Sequence, residues 1–263
     1  MGKVIAFVSG KGGVGKTSLT ANIGIALSQS GKRVLLVDAD IAMANLSLLL
    51  GMQSSPITLH DVLLGESSIK DAIYEGPDGV FFVPSGLSLE SYRRVDSERL
   101  EQAIREVADD FDFVLLDSPA GIEKNVMAAI SAADQVVLIT APDSPSVADV
   151  LKAKLVSLRL NVPPVGVIIN FVRKERGEIS ADDLMKILEL PVLGQVPYDD
   201  EVRKSFLQEN VSPIMARKPE TPAAVEMQRI AGKIGGYKLD SARHSMQERK
   251  GLLARIFGIF RRR

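Results

Sequence analysis

Residues 10–17, Gly10-Lys11-Gly12-Gly13-Val14-Gly15-Lys16-Thr17, fit the pattern G-x-x-x-x-G-K-[ST]. The chemistry of phosphate binding asks for these residue types. Glycines let successive backbone N–H groups curl inward around phosphate oxygens. A helix starting near Lys16 adds the positive end of its dipole. The Lys16 ammonium reaches the β- and γ-phosphates, and the Thr17 hydroxyl ligates Mg²⁺. The loop therefore predicts binding of ATP with Mg²⁺, followed by hydrolysis. Average composition produces this pattern by chance in about one chain per hundred of this length. Here it also lies between an apolar run, 3–9, and a helix-length segment, 17–30, which is the context the loop needs. A second candidate is Asp117, which ends the apolar run 113–116. A carboxylate at that place holds Mg²⁺, commonly through water. His60 and His244 have no ligand-like company in the sequence and read as structural or solvated.

These residues must be positioned by a scaffold, and the hydrophobic pattern describes one. Apolar runs of strand length recur at 3–9, 33–37, 80–83, 113–116, 135–139, 165–169 and 192–196. Helix-length segments alternate with them. In the first, Leu19, Ile23 and Leu27 fall at i, i+4, i+8. Segments 100–108, 124–132, 147–158, 182–188 and 223–234 read similarly. This alternation predicts an α/β fold, a mostly parallel twisted sheet with helices on both faces. The strands are near-continuous apolar runs, as burial on both faces requires. Polar residues follow the strands: the glycine loop, Asp38-Ala39-Asp40, Asp117-Ser118-Pro119-Ala120-Gly121, Asn170 and Pro197-Tyr198-Asp199. Ligands of open parallel sheets bind at the carboxyl ends of strands, so these groups are expected to converge on one edge.

Composition bounds the alternatives. A net charge of -1 gives no global signature of a nucleic-acid binder, and no specific nucleic-acid partner is expected. The absence of cysteine excludes disulfides, thiolate metal sites and iron–sulfur ligation by this chain, and fits a reducing cytosol. No secretory signal is expected, and no apolar run approaches the ~20 residues of a spanning helix.

The last residues change character. We expect an ATPase domain over 1–236, a polar linker over 237–248 and an amphipathic helix over 249–263. Leu252, Leu253, Ile256, Phe257, Ile259 and Phe260 share one helical face. Arg249, Lys250, Arg255, Arg261, Arg262 and Arg263 supply positive charge. Residues 252–260 would span only ~14 Å as a helix, too short for a ~30 Å bilayer core. They suit an interfacial helix on an anionic membrane surface.

The stretch K-G-G-x-G-K-T resembles the deviant Walker A motif of the ParA/MinD superfamily. The resemblance implies that Lys11 reaches across a homodimer interface to the partner's nucleotide. There a second ammonium would neutralise charge on the transferring phosphoryl group, as an arginine finger does. It extends the nucleotide-binding set from Gly10 to Ser18. It also places Asp38 and Asp40 in switch I, with Asp40 orienting or activating the attacking water and Asp38 supporting the Mg²⁺ shell. Asn45 matches the same region. Ser118-Pro119-Ala120-Gly121 resembles switch II, where the Gly121 N–H would sense the γ-phosphate. Asn170 and Pro197-Tyr198-Asp199 match adenine-contacting loops. The catalytic set so implied is Lys11, Lys16 and Asp40.

The tail is similar to the membrane-targeting sequence of the MinD family, and that likeness spans essentially the whole chain. It implies an ATPase that dimerises on ATP and moves between the cytoplasm and the inner face of the cell membrane. There it would regulate placement of the division septum through a regulator protein partner. The family's partner-binding Ser-Val-Arg-Asp stretch is matched by Ser146-Val147-Ala148-Asp149, which keeps Asp149 but has Ala148 in place of arginine. An archaeal MinD-like protein with other partners fits this departure. Alternatives are a flagellar-number regulator of the FlhG type, which usually carries an N-terminal extension, and a ParA-type positioning ATPase. A nucleotide-gated membrane scaffold with little turnover is a third. An Mrp-type iron–sulfur carrier would need a cysteine pair.

Overall fold

The structure, a computed structural model, describes residues 2–41, 43–52, 55–86, 99–206 and 211–237. The tail, and all of the expected linker except Tyr237, lie outside the described residues.

The chain begins with β1 (Lys3–Ser9), the glycine loop and α1 (Lys16–Gln29). Then come β2 (Val34–Asp38), α2 (Leu46–Leu49), α3 (Leu59–Leu64), β3 (Tyr74–Glu75) and β4 (Phe81–Val83). The middle holds α4 (Leu100–Arg105), β5 (Phe113–Ala120), α5 (Lys124–Ser131), β6 (Gln135–Thr140) and α6 (Ser144–Arg159). β7 (Pro164–Val172), α7 (Ala181–Leu188), β8 (Val192–Pro197), α8 (Asp200–Ser205), α9 (Ile214–Arg217) and α10 (Pro222–Gly235) complete it. The eight strands form one sheet in the order β3-β4-β2-β5-β1-β6-β7-β8. All neighbours run parallel except the short β3–β4 pair.

Two hydrophobic layers cover the sheet, as the α/β reading requires. One face packs Val4, Ala6, Val8, Val114 and Leu116 against apolar residues of α3 to α7. The other packs Ile5, Phe7, Leu36 and Leu115 against α1, α2, α9 and α10. Alternate strand residues supply opposite faces, so uninterrupted apolar runs are what this architecture needs.

Several boundaries move for physical reasons. β5 continues through Ala120, because Ser9 pairs with Ala120 beyond a register shift and the buried Ser118 hydroxyl donates to the Phe7 carbonyl at 2.8 Å. Polar residues thus extend a strand whose apolar run stops at Leu116. α6 starts at Ser144, because Pro145 suits a first turn and the Asp143 carboxylate accepts from the Ser146 N–H at 2.9 Å. Gly236 ends α10 in a left-handed conformation, φ 70°. The 3.6-residue face expected of α1 is too narrow. Ser18 through Ser28 are all buried, because α9 and α10 cover the side that an amphipathic helix would leave in water. Asn22 shows how a polar residue survives there: its Oδ1 accepts from the Met215 N–H at 2.8 Å and its amide donates to the Ser18 carbonyl at 2.7 Å. The elements α2, α3, β3, α8 and α9 hold six residues or fewer, too few to show a period in the sequence.

Candidate functional site

β1 delivers the chain to the centre of the sheet's carboxyl edge, between β5 and β6. Gly13 and Gly15 take left-handed conformations, φ 80° and 86°, which let the loop turn back into α1. Gly15 has a second reason to lack a side chain, since a Cβ there would lie 2.3 Å from the Asn170 amide nitrogen. No side chain caps α1, so its first-turn N–H groups face the loop's concavity. On the outer side, the Asp149 backbone of α6 would lie 2.2 Å from a Cβ at Gly10.

Beneath the loop three charged groups meet. The Lys16 ammonium donates to Asp117 Oδ1 at 2.7 Å, with side-chain exposures of 7% and 1%. The Asp38–Asp117 pair is in register across β2 and β5. Asp38 is fully buried and accepts from the Asp40 and Leu46 N–H groups at 3.2 and 3.1 Å. Burial pushes its carboxyl well above the ordinary range, and the neighbouring Asp117 charge adds to that. Asp117 Oδ2 is buried without a hydrogen-bond partner. Two adjacent carboxylates, one with an unused oxygen, form a donor set that a hard cation suits. Among the described residues no cluster of three or more acidic or histidine side chains forms a protein cage. Mg²⁺ keeps waters and phosphate oxygens as most of its ligands, so a hydroxyl and one or two carboxylates are enough protein groups to hold it. Thr17, Asp38 and Asp117 are the residues that would hold it. When bound, the ion would neutralise charge developing on the phosphates.

Above the loop lies a cavity of about 620 Å³. Gly12 through Ser18, Asp40, Asn45, Asn170, Pro197, Tyr198 and Asp199 line it, so the edge brings together most of the expected nucleotide contacts. A larger groove of about 1020 Å³ runs beside β8 and α10, away from the loop and the carboxylates. The chemistry-bearing groups decide in favour of the smaller cavity.

Some expected residues have a structural task as well. The Asn170 amide donates to the Val14 carbonyl at 2.8 Å and ties β7 to the loop, which leaves its Oδ1 for a base. Asp199 caps α8 through the Glu201 N–H at 2.9 Å. Tyr198 is held between Phe171, ring centroids 6.4 Å apart, and the Arg173 guanidinium, 3.6 Å from its ring centroid. The Gly121 N–H, expected at a γ-phosphate, donates to the Ser9 carbonyl at 3.0 Å. Asp149 pairs with Lys152 at 3.0 Å on α6. Lys11 is outside the cavity lining and lies 3.4 Å from Asp143, with both side chains near half exposed.

Sequence reasoning missed the cavity's apolar wall, formed by Met43, Leu48, Phe171, Val202, Phe206 and Met227. The i, i+4 pair Val202 and Phe206, following the Pro197-Tyr198-Asp199 turn, was the available signal. Removing the Asn170 tie tests the coupling of loop and wall. Asn170→Ala leaves the Val14 carbonyl without its partner. It is expected to cost ~1–3 kcal/mol of stability and to weaken ATP binding about tenfold. Thermal unfolding and fluorescent-nucleotide titration check both.

Comparison with known proteins follows the geometry. Residues 5–212 match the family model described as the CobQ/CobB/MinD/ParA nucleotide binding domain. The chain is 42% identical to an uncharacterized ATP-binding protein of Methanocaldococcus jannaschii, covering 100% of this chain and 98% of that one. It is 32% identical to the septum site-determining protein MinD of Bacillus subtilis, over 99% and 98% of the two chains. The structure of MinD from Pyrococcus horikoshii complexed with Mg-ADP superposes with a TM-score of 0.85 at 34% identity, covering 89% of this chain and 96% of that one. The glycine loop, the buried Lys16–Asp117 pair and these likenesses agree: the chain belongs to the CobQ/CobB/MinD/ParA nucleotide-binding family, as a MinD-like ATPase that uses ATP and Mg²⁺.

Proposed function

We propose that this ATPase dimerises on ATP, with its Lys11 serving the partner's nucleotide, and that the dimer binds an anionic membrane through residues 249–263. In that state it would act as a spatial regulator of cell division on the inner face of the membrane. The observation that supports it best is Lys11 itself. It sits in the phosphate loop yet lies outside the cavity lining, half exposed and 3.4 Å from Asp143. An ammonium so placed serves a phosphate that arrives from another chain.

The tail supplies a reason for coupling nucleotide to assembly. Ordering one short helix on a membrane costs ~1 kcal/mol or more per residue, so a single tail binds weakly. Two tails on one dimer gain ~10²–10⁴-fold by avidity. Among the described residues no helix is long and apolar enough to cross a membrane. A division-regulator partner would meet α6 at Asp149, where the exposed Ala148 replaces the family's arginine and points to a different partner.

Co-sedimentation with anionic liposomes tests the reading. The full chain is expected to bind at least ~10²-fold more tightly with ATP than with ADP. Deleting residues 251–263 should release it while leaving ATPase activity in place. Binding that survives the deletion, or that ignores the nucleotide, would remove the membrane switch.

A further inference from the structure

Phe171 lines the nucleotide cavity from a strained backbone. Its φ is +62°, in the left-handed region that a bulky side chain rarely adopts. The cause lies in the register at the sheet's edge. β7 and β8 pair Ile169 with Gln195 and Val172 with Pro197, so Asn170 and Phe171 stand opposite the single residue Val196. One extra residue makes a β-bulge, and a left-handed position in a bulge is ordinarily filled by glycine. Bulges also re-aim side chains beside functional sites.

The strained turn is held at three points. The Asn170 amide donates to the Val14 carbonyl at 2.8 Å. The Tyr198 N–H donates to the Val172 carbonyl at 2.9 Å. Beyond the bulge, the Glu178 carboxylate accepts from the Arg173 and Lys174 N–H groups at 2.8 and 3.0 Å. Strain of this kind persists only where neighbours over-determine it, and it gathers at ligand sites.

The bulge places the ring at the junction of loop and wall. Phe171 Cζ would lie 3.3 Å from a Cβ at Gly15, the residue that opens α1. Its other neighbour is the Tyr198 ring, tilted by 56° and backed by the Arg173 guanidinium. Phosphates held around Lys16 leave the nucleoside to extend along the wall beyond the loop. A half-buried aromatic ring there offers a face on which any base can stack. Packing alone gives no reason to keep a bulky residue where glycine would be unstrained.

We propose that Phe171 is a base-contacting residue: the β7 bulge gives up fold stability to stand this ring where the nucleotide base stacks. Asn170 Oδ1, one residue earlier, is then free to read the edge of the same base. Stacking and edge recognition thus come from adjacent residues of one bulge.

Three substitutions in the full-length protein separate the ring from the strain. Phe171→Ala removes the ring and keeps a side chain at positive φ. Phe171→Gly removes both, and Phe171→Tyr keeps both. Affinity is read by calorimetric titration with Mg-ATP and with Mg-bound inorganic triphosphate, which carries the phosphates and no base. Phe171→Ala and Phe171→Gly are expected to lose about 10-fold in affinity for ATP. Both should bind inorganic triphosphate within about twofold of the wild type. Phe171→Tyr should stay within about twofold for either ligand. In thermal unfolding without nucleotide, Phe171→Gly should melt ~2–4 °C above Phe171→Ala.

Unchanged ATP affinity in Phe171→Ala would overturn the base contact. Parallel losses of ATP and triphosphate would make the ring a prop for the glycine loop, and would overturn it as well. Phe171→Gly melting at or below Phe171→Ala would show that the bulge stores no strain, and the exchange of stability for binding would fall.

Discussion

Lys16→Ala is expected to abolish ATP binding and to destabilise the fold at the same time. The two losses share one cause. Lys16 and Asp117 form a 2.7 Å ion pair at 7% and 1% exposure, beneath a loop that carries no other ammonium in the cavity wall. Removing one member of a buried pair leaves an uncompensated charge, which costs ~3–5 kcal/mol. For a chain of this size that is a drop of ~6–20 °C in Tm. Asp117 would then have neither oxygen in an ion pair, with the buried Asp38 carboxylate in register beside it. Adding Asp117→Asn to Lys16→Ala removes that charge and should recover most of the stability. It should recover no nucleotide binding, because the phosphates still lack their ammonium. Thermal unfolding of the wild type, both single variants and the double variant completes the cycle. If Lys16→Ala melts with the wild type, the buried pair does not contribute as argued. If it still binds ATP tightly, the loop reading fails.

The cycle turns on a contact that the sequence does not display. The apolar runs ending at Val37 and Leu116 mark two strands, and Asp38 and Asp117 are visible at their ends. That β2 and β5 are neighbours, which sets the two carboxylates in register, depends on strand order. Strand order follows from packing across some 80 residues, and no local pattern encodes it. The α/β layers were legible because both-face burial makes strands continuous runs, and helix-length segments lie between them. The loop was legible because phosphate binding restricts residue type at each step. The apolar wall was not: Phe171, Val202 and Phe206 look like ordinary hydrophobics until β7 and α8 bring them to one edge. His60 reads as structural in the sequence and is buried, but its partner, the Gly86 N–H, follows another element and shows in no local pattern. The width of the buried face of α1 depended on α10, some 200 residues away, and periodicity within one helix cannot report a second covering layer.

The second lysine of the loop should behave in the opposite way. Lys11 and Asp143 are near half exposed, and a pair of that kind contributes ~0–1 kcal/mol. The Asp143 carboxyl does sit below its usual range; slight burial pushes it up, but its bonds to Ser146 and the Lys11 charge outweigh this. Its cap on α6 through Ser146 does not need Lys11. Lys11→Ala is therefore expected to leave Tm within a few degrees and to leave ATP binding by the monomer intact. Turnover should fall by ~10³-fold or more, the worth of a charge supplied in trans to a phosphoryl group. A mixing experiment separates action on the partner from action in the same chain. Lys11→Ala keeps Asp40 and its own nucleotide but offers its partner no ammonium, and Asp40→Ala keeps Lys11 but cannot orient water. Combined in equal amounts, half of the dimers carry one of each, and one of their two sites has both groups. The mixture should regain about a quarter of wild-type turnover if Lys11 acts across the interface. If Lys11 serves its own nucleotide, that site has no Lys11 ammonium from either chain and the mixture stays inactive. Recovery of activity would make the loop half of a site that only two chains complete, and ATP would then be read out as assembly.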